Sequence, residues 1–187
     1  MTRAAAILFA ALLALGGCSW FGGRDHPEDA GPIYSPNGEP LSGGPLGHPR
    51  CEQAMAQWFA RVDANHDGTI DRAEFLADAA RQFAAMDLDH DGTVTPAELA
   101  QYRRPYAPPP LPDQESGRRR RGGADNARAA IAKDRPDPVM LADVRLRNRV
   151  SRNDFMAYAN TNFAGLDTNH DGRLSRAELV ATCNPSS

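Results

Sequence analysis

The chain has 187 residues, room for one modest domain with tails rather than several independent domains. Its 24 acidic and 21 basic side chains leave a formal net charge of −3, which argues against a nucleic-acid partner.

The N-terminal stretch, MTRAAAILFAALLALGGC, carries one early cation, Arg3, and then an apolar run from Ala4 to Leu15. That run is too short to span a bilayer and reads as an export signal over residues 1–17. It ends in Leu15-Gly16-Gly17-Cys18, which looks like a bacterial lipobox. The resemblance implies cleavage before Cys18 and acylation of its sulfur and amine by fatty chains such as palmitate. Each buried CH₂ contributes about 0.8 kcal/mol, so more than one chain gives a stable membrane anchor. Ser19, beside the acylated position, resembles the outer-membrane sorting type. The expected location is therefore the cell envelope, lipid-anchored at the outer membrane and facing the periplasm. An ordinary secretory signal with an incidental cysteine is the competing reading.

Residues 19–50 hold seven glycines and six prolines in 32 positions. Such composition lacks the apolar surface needed to offset ordering entropy. Residues 18–50 are accordingly expected to form a disordered tether. Beyond it, Trp58, Phe59 and Val62 have helical spacing and read as core.

The next stretch, DANHDGTIDRAE, places side-chain oxygens at its first, third, fifth, ninth and twelfth positions and glycine at its sixth. The residues are Asp63, Asn65, Asp67, Asp71 and Glu74, with Gly68 at the turn, Thr69 at seven and Ile70 at eight. Like charges crowd together in this way when a cation is to sit among them, and hard oxygen donors at this spacing suit calcium. The spacing recurs in DLDHDGTVTPAE, with Asp87, Asp89, Asp91, Gly92, Thr93, Thr95 and Glu98. It recurs again in DTNHDGRLSRAE, with Asp167, Asn169, Asp171, Gly172, Arg173, Ser175 and Glu178.

These loops resemble those of the EF-hand family, in particular bacterial calmodulin-like proteins. The resemblance implies an all-α domain of two tandem hand pairs, residues 51–103 and 134–187. It assigns the bidentate role at position twelve to Glu74, Glu98 and Glu178, and backbone carbonyls at position seven to Thr69, Thr93 and Arg173. His66, His90 and His170, all at position four, are expected to face solvent. Stepping back 24 residues from Asp167, the spacing of the first two loops, reaches DVRLRNRVSRND. This fourth loop keeps Asp143, Val150, Ser151 and Asp154, but Arg145 and Arg147 replace ligands and Asn148 replaces the glycine. Three calcium ions are expected, with three intact loops and one degenerate.

Twelve residues separate Glu74 from Asp87, and Phe75, Ala79, Phe83 and Met86 fall on one helical stripe. One continuous helix then leaves the first hand and enters the second, so their loops lie at its opposite ends. Each needs a strand partner in the other half. In paired EF-hands the entering helix of one hand packs beside the exiting helix of the other. By that resemblance a Cys51–Cys183 disulfide pairs the first loop with the last through Ile70 and Leu174, and the second with the degenerate loop through Val94 and Val150. Two unpaired cysteines are the alternative.

Between the halves, residues 104–133 read as a Pro/Arg-rich linker, with Pro108 to Pro110 favouring polyproline geometry and Arg118 to Arg121 forming a basic run. The run reads as solvated, against a contact with anionic headgroups. Pro136 and Pro138 spoil a regular entering helix for the degenerate hand. No Ser/His/Asp set, phosphate-cradling loop or thiol–base pair emerges, so neither catalysis nor a small-molecule substrate is expected. The expected function is structural or buffering calcium binding by an anchored lipoprotein. The alternative is a sensor that exposes an apolar groove to an envelope partner, which Met55, Met86, Met140 and Met156 supply only thinly.

Overall fold

A computed structural model describes residues 32–107 and 137–183 of the chain. The export signal, Cys18, Pro108 to Pro110, Arg118 to Arg121 and Pro136 lie outside the described residues. Among the described residues the architecture is five α-helices and four two-residue strands: α1 (Cys51–Val62), β1 (Ile70–Asp71), α2 (Arg72–Met86), β2 (Thr93–Val94), α3 (Pro96–Arg103), β3 (Val150–Ser151), α4 (Arg152–Leu166), β4 (Arg173–Leu174) and α5 (Arg176–Ala181).

Helices α2 to α5 each begin where a loop ends, and the local chemistry says why. Asp71 accepts from the Glu74 N–H while the Glu74 carboxylate accepts from the Asp71 N–H, a reciprocal cap that starts α2. Thr95 with Glu98 and Ser175 with Glu178 repeat it at α3 and α5. Ser151 caps α4 by accepting from the Asp154 N–H. Among the described residues the degenerate hand has no entering α-helix: a single 3₁₀ turn, Met140–Ala142, precedes the loop, two residues after Pro138.

The strands pair across the halves. Ile70 faces Leu174 and Asp71 faces Arg173 in one antiparallel pair. Thr93 faces Ser151 and Val94 faces Val150 in the other. Helix α2 therefore runs from the first pair to the second while α4 runs back, and the two pack antiparallel. Phe75 meets Phe163 edge-on at 5.5 Å between ring centroids, and Phe83 meets Phe155 at 5.5 Å. The repeat aligns Phe75 with Phe155, so the packing crosses the repeat, as an approximate two-fold axis between the halves requires. Trp58 and Phe59 of α1 are buried against this core. Cys51 and Cys183 form a disulfide with Cα atoms 5.7 Å apart, closing 132 residues of sequence separation.

The tether expected over 18–50 is corrected from residue 32 onward. Leu41 N–H donates to Ile33 O at 2.8 Å and Ser35 N–H to Glu39 O at 2.8 Å, around the turn Ser35-Pro36-Asn37-Gly38. This small hairpin straps the helices. Asn37 is buried, and its Nδ2 donates to Asp78 Oδ2 at 2.9 Å and to Phe75 O at 3.3 Å. Asp78 Oδ2 also accepts from Trp58 Nε1 at 3.3 Å, and Asp78 pairs with Arg81. Glu39 binds Arg61 and Arg81 at 2.8 and 3.1 Å. Arg103 stacks on the Tyr34 ring at 4.4 Å and pairs with Asp137. Composition misled because this segment carries little apolar core of its own; it is held by buried polar partners on other elements. Its glycines serve close approach: Gly43 has φ +93°, and a Cβ there would stand 2.2 Å from the Tyr106 carbonyl oxygen. Arg104–Tyr106, placed in the linker from sequence, forms a 3₁₀ turn against this strap.

Asp78 is the buried acceptor for three donors, so Asp78→Ala should destabilise by about 2–3 kcal/mol, because orphaned buried donors lose their solvation. Chemical denaturation should show a lower midpoint with an unchanged slope.

Candidate metal centre

Asp63 opens the first loop from the C-cap of α1, and its carboxylate is buried. Its Oδ1 accepts from the Asp67 N–H at 3.1 Å and its Oδ2 from the Gly68 N–H at 3.0 Å. Gly68 has φ +84° and His66 φ +58°, so the backbone bends twice around the carboxylate. Asn65 Oδ1 accepts from the Asp67 N–H at 2.8 Å. Glu74 then reaches back across the loop: Oε1 accepts from the N–H groups of Ala64 and Asn65 at 3.0 and 3.2 Å, and Oε2 from Asp71 at 2.9 Å. The side chain at position twelve thus bridges the start and the end of the loop.

The second and last loops repeat this frame. Glu98 Oε1 accepts from Leu88 and Asp89 N–H at 3.1 and 3.5 Å. Glu178 Oε1 accepts from Thr168 and Asn169 N–H at 2.9 and 3.3 Å. Position nine holds its side chain for the helix instead: Asp71, Thr95 and Ser175 each cap the following helix. Thr69 and Thr93 both donate N–H and Oγ1–H to the carboxylate two residues before them. His66, His90 and His170 are exposed, and all three have positive φ.

These donors keep the carboxylates ionised. The Thr69 hydroxyl and N–H, joined by Arg173, hold Asp67 at about 2. Partial burial pushes Glu178 upward, but the Ser175 N–H and hydroxyl, with Thr168 and Asn169, outweigh it and hold Glu178 at about 2. The Thr95 N–H lowers Glu98 and the Thr93 hydroxyl lowers Asp91. At neutral pH Asp67, Asp91, Glu98 and Glu178 are therefore anions.

Loop 87–98 offers a direct test of fit to a cation. Asp87, Asp89 and Asp91 bring carboxylate oxygens within 4.8 Å of one another. Asp87 Oδ1 is buried with no hydrogen-bond partner in the protein. A buried carboxylate oxygen without a donor is costly, and a hard divalent cation at the loop's centre removes that cost. The donor set is all oxygen, which suits calcium rather than a thiophilic or imidazole-seeking metal.

The degenerate loop keeps the frame and loses the ligands. Leu146 and Asn148 hold φ +52° and +57°, the same two bends made without glycine. Asp143 Oδ1 accepts from the Arg147 N–H at 3.0 Å, and that bond leads in holding Asp143 below the usual carboxylate range. Asp154 is one methylene shorter than glutamate and bonds only Ser151, whose hydroxyl donates to it at 2.6 Å. Position twelve does not bridge the loop, and Arg145 and Arg147 occupy the ligand positions.

One contact was not legible in the loop spacing. Arg173, at position seven of the last loop, reaches across the strand pair so that its Nη1 donates to Asp67 Oδ2 at 2.7 Å and Thr69 Oγ1 at 2.9 Å. A guanidinium from one loop therefore rests on an expected ligand of another.

The fold and these loops have the form of EF hands. The EF hand family model matches residues 55–77, 80–101 and 163–183, which cover the three intact loops and omit the degenerate one. Three EF-hand matches on three loops that keep their oxygen-bearing side chains fit calcium binding, with three calcium loops. Comparison with curated proteins finds no match.

Calorimetric titration should return three calcium ions per chain, and Glu98→Gln should remove one while leaving the other two measurable. The glutamine still accepts at the cap but lacks the second anionic oxygen. Arg173→Gln should tighten calcium at loop 63–74 several-fold, because Asp67 then presents its full charge. If Arg173 only props the strands apart or together, affinity at that loop falls instead, so the sign of the change in the titration decides.

Proposed function

We propose that this is an envelope lipoprotein in which calcium stabilises and is stored by a closed EF-hand domain. The observation that carries the closed reading is the strap, whose Glu39 carboxylate binds both Arg61 of α1 and Arg81 of α2. These are the entering and exiting helices of the first hand, and it is the angle between them that changes when such a hand opens a groove. Buried Asp78 of α2 supports the same reading, because it accepts from Asn37 of the strap and from Trp58 of α1. Among the described residues no helix is long and apolar enough to cross a membrane. In this reading acylated Cys18 supplies the anchor. The exported compartment accords with the low-affinity regime of extracellular calcium loops, about 10⁻⁴–10⁻³ M, and with a lasting disulfide. Bound cation stabilises the folded chain by mass action.

Fluorescence of an apolar dye should stay unchanged when calcium is added to the chelated protein, while the thermal midpoint rises. Calcium-dependent dye binding would instead establish the sensor reading. Cys18→Ser should release the protein from the membrane fraction; retention there would place the anchor elsewhere.

A further inference from the structure

The described residues expose five large apolar side chains, and four of them stand at one end of the molecule. Leu88 lies in loop 87–98, Leu141 in the turn before the degenerate loop, and Val144 and Leu146 within it. Val144 is 75% exposed and Leu146 91%. At the opposite end the same two loop positions carry Ala64 and His66, and Thr168 and His170. The loop geometry therefore does not call for leucine or valine there. Leu146 even holds φ +52°, a conformation that L side chains seldom adopt, and gains no burial in return.

What surrounds these side chains is basic. Arg145, Arg147, Arg149 and Arg152 are all exposed and alternate with the apolar residues. The two acidic groups of this loop are turned to its own frame: Asp143 accepts from the N–H groups of Arg147 and Arg149, and Asp154 from Ser151. Apolar tips flanked by arginines match the layered chemistry of a bilayer surface, where acyl chains meet phosphates. Arginine stems lie along the apolar layer while their guanidinium groups bind lipid phosphate.

We propose that the degenerate loop 143–154 is a membrane-docking surface for anionic phospholipid, with Val144 and Leu146 entering the headgroup layer and the arginines binding phosphate. Loss of its metal site is then the change that made the surface, since a calcium loop needs carboxylates where this one presents guanidinium groups. The neighbouring loop 87–98 is acidic, and calcium bound there lowers its repulsion from such a membrane. The docking stands apart from acylation at Cys18, which sets only how near the bilayer the domain is kept.

The test is hydrogen–deuterium exchange of the full chain in calcium buffer, on vesicles of phosphatidylcholine alone and of equimolar phosphatidylcholine and phosphatidylglycerol. Amides of residues 144–149 should exchange more slowly on the anionic vesicles only. The difference should vanish in the Val144→Ser/Leu146→Ser chain and in the Arg145→Gln/Arg147→Gln/Arg149→Gln chain, with exchange in α2 and α4 unchanged as the check on folding. Equal exchange on both vesicles, or slowing that survives both variants, overturns the proposal. So does the result that an acidic protein partner would give, in which vesicles leave the loop unaffected. Flotation of the same samples reads attachment separately. A chain that floats without loop protection overturns docking and leaves the anchored reading intact.

Discussion

Because α2 leaves one loop and enters the next without a break, the two loops of the N-terminal half stand at opposite ends of a rod roughly 22 Å long. They cannot share a strand pair. Ile70 and Val94 are nevertheless fully buried, so each needs an apolar partner across a two-residue strand. Helix α4, built in the same way and running in the opposite direction, supplies Leu174 at one end and Val150 at the other. The antiparallel helix pair, the crossed phenylalanine contacts and the placing of Cys51 beside Cys183 all follow from that one continuous helix. So does the retention of a loop that has lost its ligands, since Val94 would be left without its strand partner if Val150 were removed.

Shape and charge are separable in these loops. The four share two positive-φ bends and a position-one aspartate whose oxygens accept backbone N–H groups. In the degenerate loop Leu146 and Asn148 hold the bends, although leucine disfavours that conformation and only asparagine tolerates it readily. The frame is thus set by the aspartate, the strand pair and the following helix cap. The side chains at positions three, five and twelve decide whether a cation is welcome. Where they are Asp89, Asp91 and Glu98, the frame gathers anions; where they are Arg145, Arg147 and Asp154, it presents cations at an open rim.

The loops and their crossed pairing were legible in the sequence because spacing and helix length carry them. The 24-residue repeat and the short interval between Glu74 and Asp87 are countable, and a helix has a fixed rise. Trp58 was legible as core from helical spacing, but not as the donor to Asp78, because periodicity reports a buried face and says nothing of a polar edge. The strap at 32–50 was hidden for a related reason. Composition measures how much apolar surface a segment can bury by itself, whereas Asn37, Glu39 and Tyr34 are held by partners on other elements. A signal was present in Ser35-Pro36-Asn37-Gly38, a turn-forming run, yet a turn does not reveal what it packs against. Arg173 was counted only for its backbone carbonyl, because its side chain acts across a two-fold relation that linear spacing does not express.

The disulfide has a topological meaning beyond its contribution to stability. Cys51 stands before the first loop and Cys183 beyond the last, so the covalent bond makes a closed ring that contains both halves of the domain. Neither half alone has mates for its two strands, and each is completed by the other. A single peptide cleavage anywhere between the halves would leave one covalent molecule with every strand pair still available to it. The ring makes the backbone connection between the halves dispensable once folding is complete, and it binds each half to the partner it was synthesised with.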